Sequence, residues 1–362
     1  MTVNFVARRR HGAASLPIAG FMTLGLLLAA CGSSNSSSTT TAAAASATTT
    51  TAGVKNLGTV TLSQVGPDAG KWPIYAAISE GFFKKLGISV TLSVSHSSPT
   101  GVQEVLANSV NIAEVGDTDA ISAAAQGGSV VLVAGEENAP PYTINVPKSI
   151  TSISQLKGKK VSVAAPTNIT QLYWNAVAEG NGLKPTDVTY QYSPTTGDRF
   201  AALKGGVVQA AILLPPFSFE AAAAGYPSIA LVSKYLPYPF TAFAVSPAWA
   251  SANTDKLEAF LKGYLMGIKW LYDPANKDAA ISILVKTTNS TQSAASQSYD
   301  FYVNQIKAFP TDGSLPASEM AKVAQAMVGL GAFKQAPPTS KFMDTSYITK
   351  VAQELGISSS GS

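Results

Sequence analysis

Between residues 58 and 355, short apolar runs of strand length alternate with stretches whose apolar positions recur three and four residues apart. Val60-Thr61-Leu62-Ser63-Gln64-Val65 alternates like a strand. The turn-rich Gly66-Pro67-Asp68-Ala69-Gly70 follows it. Lys71-Trp72-Pro73 then opens a helix, with Pro73 at the first helical position, where its missing N–H costs nothing. Ile74, Ala77 and Ile78 make the apolar stripe, and Gly81 closes the helix in a left-handed cap. Ile88–Val94 is the second strand. Ser95–Gly101 is a loop in which Ser98 serves as N-cap and Pro99 as first helical residue. The helix through Gln103, Val105 and Leu106 leads to the strand Val110–Val115. Gly116-Asp117-Thr118-Asp119 then opens a helix over Ala120–Gln126. Val130–Ala134 is continuously apolar, as buried parallel strands are.

The pattern then repeats. Thr143–Pro147 reads as a crossover strand, and Val161-Ser162-Val163 as a strand ending at Ala164-Ala165. The loop Pro166-Thr167-Asn168-Ile169 opens a helix over Thr170–Glu179, and Asp187–Tyr192 is the next strand. Arg199–Ala211 echoes Gln103–Ala113, each being helix, small turn and strand in matching places. A strand ends at Leu213-Leu214-Pro215-Pro216-Phe217, and Pro227–Val232 adds another. The Pro-rich Tyr235–Pro239 reads as a hinge, after which Thr241–Val245 returns to the first unit. Helices fill Leu257–Leu355. The expected class is α/β with two lobes, each a mixed, mostly parallel sheet flanked by helices. Lobe I takes 57–144 and 240–362; lobe II takes 145–239.

Several stretches carry a resemblance. Tyr75-Ala76-Ala77 with Glu80-Gly81-Phe82-Phe83-Lys84-Lys85, Gly87-Ile88 and Val90 is one. Ile150–Val163, with Leu156-Lys157-Gly158-Lys159, is the second, and Ser246–Gly263 the third. In this order they resemble the solute-binding proteins of ABC importers for nitrate, sulfonates, taurine and thiamine-type pyrimidines. Asn111 and Gln209 stand where that family usually has Asp. The resemblance implies a type II periplasmic-binding-protein fold, which the thiamine-pyrimidine synthases of the same superfamily share; with the only Cys spent on lipid and no nucleophile, metal cluster or phosphate loop in the sequence, neither catalysis nor a cofactor is expected. The resemblance also implies a small-molecule solute held between the lobes and a membrane permease as partner.

The amino terminus changes the picture. Arg8-Arg9-Arg10-His11 is a positive region, and Ile18–Ala30 is apolar but too short to span a bilayer comfortably. Leu28-Ala29-Ala30-Cys31-Gly32 resembles a lipobox. Residues 1–30 are therefore read as a lipoprotein signal peptide and Cys31 as the lipidation site. The Ser-, Thr- and Ala-rich stretch 31–56 reads as a flexible tether. The expected location is the extracytoplasmic face of a bacterial cell membrane, lipid-anchored and monomeric.

Composition then removes options. Cys31 is the only cysteine, and once acylated it leaves no disulfide, thiolate metal site or Cys nucleophile. His96 is the only histidine beyond the signal, which excludes a His-rich metal site. Charged residues are 13%, net charge is +4, and the body has no basic run, so no nucleic-acid partner is expected.

Loops leaving the carboxyl ends of strands bind ligands in open α/β sheets. They nominate Asp68, Trp72, Tyr75, Ser97, Ser98, Asp117, Thr118 and Glu136 from the first half, and Thr167, Asn168 and Pro215 from the second. These loops hold Lys71 and no Arg. They also hold Asp119 and Glu137, with Tyr142 nearby. Carboxylates beside aromatic rings suit a neutral or cationic nitrogen heterocycle, such as a thiamine-type pyrimidine. An organic anion such as a sulfonate, or nitrate, is the alternative, and a surface adhesin with a vestigial cleft is another. Phe217 and Phe219 pack either on the ligand or on the helix beneath.

Overall fold

The computed structural model describes residues 54–358. The signal segment, Cys31 and all but the last three residues of the tether lie outside the described residues. Among the described residues ten strands form two five-stranded sheets. The first contains β1 (Gly58–Gln64), β2 (Ile88–Val94), β3 (Ile112–Gly116), β4 (Val131–Glu137) and, from far along the chain, β10 (Thr241–Val245). The second contains β5 (Thr143–Asn145), β6 (Lys160–Val163), β7 (Thr189–Tyr192), β8 (Ala210–Leu213) and β9 (Ser228–Leu231).

The orders are β2-β1-β3-β10-β4 and β7-β6-β8-β5-β9. They are the same order twice. In each sheet the first three strands are parallel. The strand that arrives from the other sheet, β10 or β5, inserts antiparallel in fourth place. This accounts for a mixed, mostly parallel sheet in each half. β3, β8 and β10 are buried along their whole length, as strands covered on both faces must be.

Helices α1 (Trp72–Ser79), α2 (Phe82–Lys85), α3 (Ser98–Leu106) and α4 (Asp117–Ala125) belong to the first sheet, and α5 (Ile169–Glu179), α6 (Thr196–Lys204) and α7 (Phe217–Ala223) to the second. After β10 come α8 (Pro247–Ala252), α9 (Thr254–Tyr272), α10 (Lys277–Thr288), α11 (Gln292–Tyr299), α12 (Ala317–Gly329) and α13 (Ser346–Glu354). Trp72, Ile74, Phe260, Tyr264, Tyr299 and Tyr302 fill the core on one face of the first sheet. Val102, Val105, Ile121, Met320 and Met327 fill the other. Tyr173, Trp174 and Val177 of α5 pack on one face of the second sheet, and Leu203 and Ala221 on the other. Among the described residues no helix is long and apolar enough to cross a membrane.

Local chemistry sets most boundaries as the pattern predicts. Gly81 is left-handed at φ +69°, a conformation open to glycine at no steric cost. Two starts differ. The N-cap of α3 is Ser97, whose Oγ accepts the Thr100 amide, so Ser98 is already helical. The hydroxyl of Ser98 is thereby free to accept the Gly116 amide at 2.8 Å. Helix α4 begins at Asp117 rather than Ala120.

Candidate functional site

β1, β2, β3 and β4 run parallel, so their carboxyl ends share one edge, and the loops leaving that edge form one wall of a cleft. Where β1 ends, Asp68 turns the chain by accepting the Gly70 amide at 2.9 Å. The same carboxylate holds Lys71 Nζ at 3.0 and 3.1 Å. Lys71 also reaches Glu114 of β3 at 3.3 Å, and Glu114 accepts the Val65 amide at 3.2 Å. All three side chains are buried.

Behind them lie Glu136 and Glu137 at the end of β4, also buried. Glu137 accepts the Thr241 hydroxyl at 3.1 Å. Neither carboxyl oxygen of Glu136 has a hydrogen-bond partner among the described residues. Four carboxyls thus share one ammonium. Burial, which disfavours the charged form, pushes Glu137 up to about 8 and raises Glu114 against the pull of Lys71. Burial and the neighbouring Glu114 raise Glu136 well above the ordinary range. Burial alone works to discharge Lys71, but the combined field of Asp68, Glu114, Glu136 and Glu137 raises it instead. The cluster therefore holds a charged Lys71 and retains protons among its carboxyls.

The facing wall comes from the second sheet. Asn168 caps α5, accepting the Thr170 amide at 3.0 Å. Thr195 caps α6, accepting the Asp198 amide at 3.1 Å. The fourth residue of α6, Arg199, is buried and donates four hydrogen bonds: to the carbonyls of Ile212, Ser193 and Pro194, and to Thr196 Oγ1. Its guanidinium lies 5.8 Å from the Tyr142 ring centre. Tyr142 meets Phe240 edge-to-face at 4.8 Å, and Phe240 lies in the return between the sheets. Together the walls enclose a cleft of about 760 Å³. Among the described residues no group of His, Cys, Asp and Glu is arranged to hold a metal ion.

The structure sorts the nominated residues. Asp68, Ser97, Ser98 and Asn168 line the cleft. Trp72 does not: its indole N–H donates to the Ala280 carbonyl at 2.9 Å, and its ring packs against Tyr299 in the core. Tyr75 is buried with its hydroxyl on Gln64 at 2.8 Å. Asp117 is fully buried, and neither of its oxygens has a partner among the described residues. Burial and Asp119 push it up to about 8. Thr118 faces α5 and accepts the Ile169 amide at 3.0 Å. Glu136 sits behind the cleft wall. Thr167 takes a left-handed turn at φ +55° with its amide on Gln171. The Pro215 carbonyl accepts the Ala69 amide at 3.2 Å across the two halves. These are structural placements, reached because the same loop residues that leave the sheet edge also start helices.

The expectation that the cleft holds no Arg is corrected by Arg199. It is the only arginine outside the amino-terminal triplet, and that isolation in a charge-poor chain was the available signal. Lys71 and Glu114, Tyr142, Phe240 and the Thr195-Thr196 pair also line the cleft. Of the two phenylalanines left open, Phe217 lines the cleft and Phe219 packs on Phe301.

A family model described as NMT1/THI5 like matches residues 69–277. No curated protein matches the sequence. Among solved structures, the chain is similar to the periplasmic nitrate-binding protein NrtA from Synechocystis PCC 6803, with 15% identity and a TM-score of 0.71 over 82% of this chain and 89% of that one. It is also similar to the periplasmic aliphatic sulphonate binding protein SsuA from Escherichia coli, with 19% identity and a TM-score of 0.62 over 79% and 92%. A ligand-binding component of an ABC-type import system from Staphylococcus aureus, with zinc bound, aligns at 11% identity and a TM-score of 0.70 over 81% and 98%. At these identities the likeness speaks for the fold.

Proposed function

This chain belongs to the NMT1/THI5-like family, and from that premise and the cleft we infer that it is the solute-binding component of an ABC importer, a binding protein and not a catalyst. The two sheets act as two lobes, and a small organic solute sits between them. The amino terminus, read as signal, lipidated Cys31 and tether, anchors the domain on the extracytoplasmic face of the membrane beside its permease. The protein works as a monomer. A cleft of about 760 Å³ lined from both sheets supports a binder over an adhesin whose cleft is vestigial.

The solute proposed is a neutral or cationic nitrogen heterocycle, of which a thiamine-type pyrimidine is the model. One observation carries this choice. Both permanently charged cations lining the cleft are already committed. Lys71 is held by Asp68 and Glu114, and Arg199 is spread over three carbonyls and a hydroxyl. A sulfonate or nitrate needs uncommitted donors of positive charge. The first wall instead sets four carboxyls, Asp68, Glu114, Glu136 and Glu137, against one ammonium, an acidic excess that suits ring N–H groups, and flat faces find Tyr142, Phe217 and Phe240. Calorimetric titration tests this. The aminopyrimidine half of thiamine should bind, and Asp68→Asn or Glu114→Gln should each weaken it about tenfold. Binding of taurine or nitrate with the pyrimidine silent would replace this solute class with the organic anion.

A further inference from the structure

Residues nominated for the ligand on β3–α4 and on the β6–α5 loop instead meet one another. Asn168 Nδ2 donates to Asp119 Oδ2 at 2.8 Å, and the Ile169 amide donates to Thr118 Oγ1 at 3.0 Å. Nearby, the Ser98 oxygen accepts the Gly116 amide at 2.8 Å. On the other side, Asn168 Oδ1 accepts the Thr170 amide and the Thr170 hydroxyl at 3.0 and 2.9 Å. Thr170 Oγ1 in turn accepts the Ala164 amide at 2.8 Å. Hydrogen bonds therefore run from Thr118 and Asp119 at the start of α4 to the backbone of the second sheet's edge. Ser98, Gly116, Ala164, Asn168 and Thr170 all line the cleft, so these bonds pass along its wall. Elsewhere the halves meet where the Ala69 amide donates to the Pro215 carbonyl, and where α7 packs on the late helices, with Phe219 on Phe301 and the Thr291 amide on Glu220 at 3.3 Å.

We propose that the Asp119–Asn168 hydrogen bond, with the Thr118–Ile169 contact beside it, is a latch that holds the two halves together over the cleft. Asn168 performs two tasks with two atoms. Its oxygen caps α5 and belongs to folding of the second half. Its amide nitrogen crosses to Asp119 and belongs to closure. A charged acceptor makes this crossing stronger than a neutral pair, and its half-buried setting limits competition from water. The Ile169 amide is the first of α5, so it has no acceptor within the helix. Thr118 supplies its partner only while the halves are in contact.

The two tasks can be separated. Asn168→Asp keeps the capping oxygen, removes the crossing donor and sets a second carboxylate against Asp119. Combining it with Asp119→Asn exchanges donor and acceptor and restores the bond. Amide exchange followed by NMR on the intact chain reads the result at Ile169 and at Ala69. N168D should speed exchange at both amides about tenfold or more, and the D119N/N168D pair should bring both back. Thr118→Val, which replaces the accepting hydroxyl with a methyl group, is the second variant, and it should speed exchange at Ala69 as well. Unchanged exchange in N168D, acceleration confined to Ile169, or a double variant that stays open would overturn the latch. The inference rests on the two-lobed reading but needs no solute. A failed titration with intact latch behaviour would discard the solute class alone, and the reverse would discard the latch alone.

Discussion

The two walls of the cleft are built on the same strand order and do opposite things with charge. After β1, the first wall places Asp68 and Lys71 in a buried pair, with Glu114 beside them and Glu136 and Glu137 behind. After β6, at the matching place, the second wall has Thr167 and Asn168. In α3 the fourth residue is Gly101, where an added Cβ would come within 3.5 Å of Ala113 and Val115. In α6 the fourth residue is Arg199, which binds carbonyls instead of a carboxylate. One wall stores unlike charges and protons; the other uses helix caps and a cation neutralised by dipoles. Topology thus delivers loops to the same edge twice, while the side chains decide what each edge can recognise.

Lys71→Met should break this contrast most severely. It strips the only ammonium from four buried carboxyls, and removing one partner of a buried pair costs about 3–5 kcal/mol. Denaturant unfolding would measure it; a loss under about 1 kcal/mol would mean that the first wall does not depend on the pair. Arg199→Lys should cost about 2 kcal/mol, because an ammonium cannot reach the three carbonyls that the guanidinium fork spans. Equal stability of that variant would show the second wall to be held by its caps alone.

Glu136→Gln should change stability by less than about 1 kcal/mol near neutral pH, since a carboxyl that already carries its proton resembles the amide. A large loss would mean that Glu136 is ionised. The pH profile sharpens the same point. Glu137 rises from 4.5 to about 8 and Asp117 from 3.8 to about 8 in the folded chain. Between those limits the folded state binds more protons than the unfolded one, so their contribution is complete at low pH and is lost as pH rises to about 8. The melting temperature should accordingly fall over that range, and a D117N/E137Q variant should flatten the curve.

Much of the fold was legible because it rests on short-range signals. The strand-loop-helix run from Val60 to Gly81, the Pro residues at helix starts and the echo between 103–113 and 199–211 all report locally. The family stretches fixed the order of these units. The site was less legible. Ser97 and Asp68 turn the chain and line the cleft, whereas Asp117 is buried with no hydrogen-bond partner among the described residues and Thr118 accepts the Ile169 amide. The same residue types suit both outcomes, and only packing between elements distinguishes them. Trp72 looked available beside a loop, but an indole needs one acceptor and much apolar area, and Ala280, 208 residues away, supplied the acceptor. Arg199 was read as part of a helical repeat because its carbonyl partners come from two separate stretches, Ser193-Pro194 and Ile212.

The placement of β10 also bears on how the chain is made. β4 pairs with β10 alone among the strands, so the edge of the first sheet cannot close until residues 241–245 arrive, more than a hundred positions after β4 itself. Synthesised from the amino end, β4 and the outer side of β3 must wait for their strand partner while the whole second half is produced. Long-range closure of this kind slows folding and leaves an incomplete intermediate exposed.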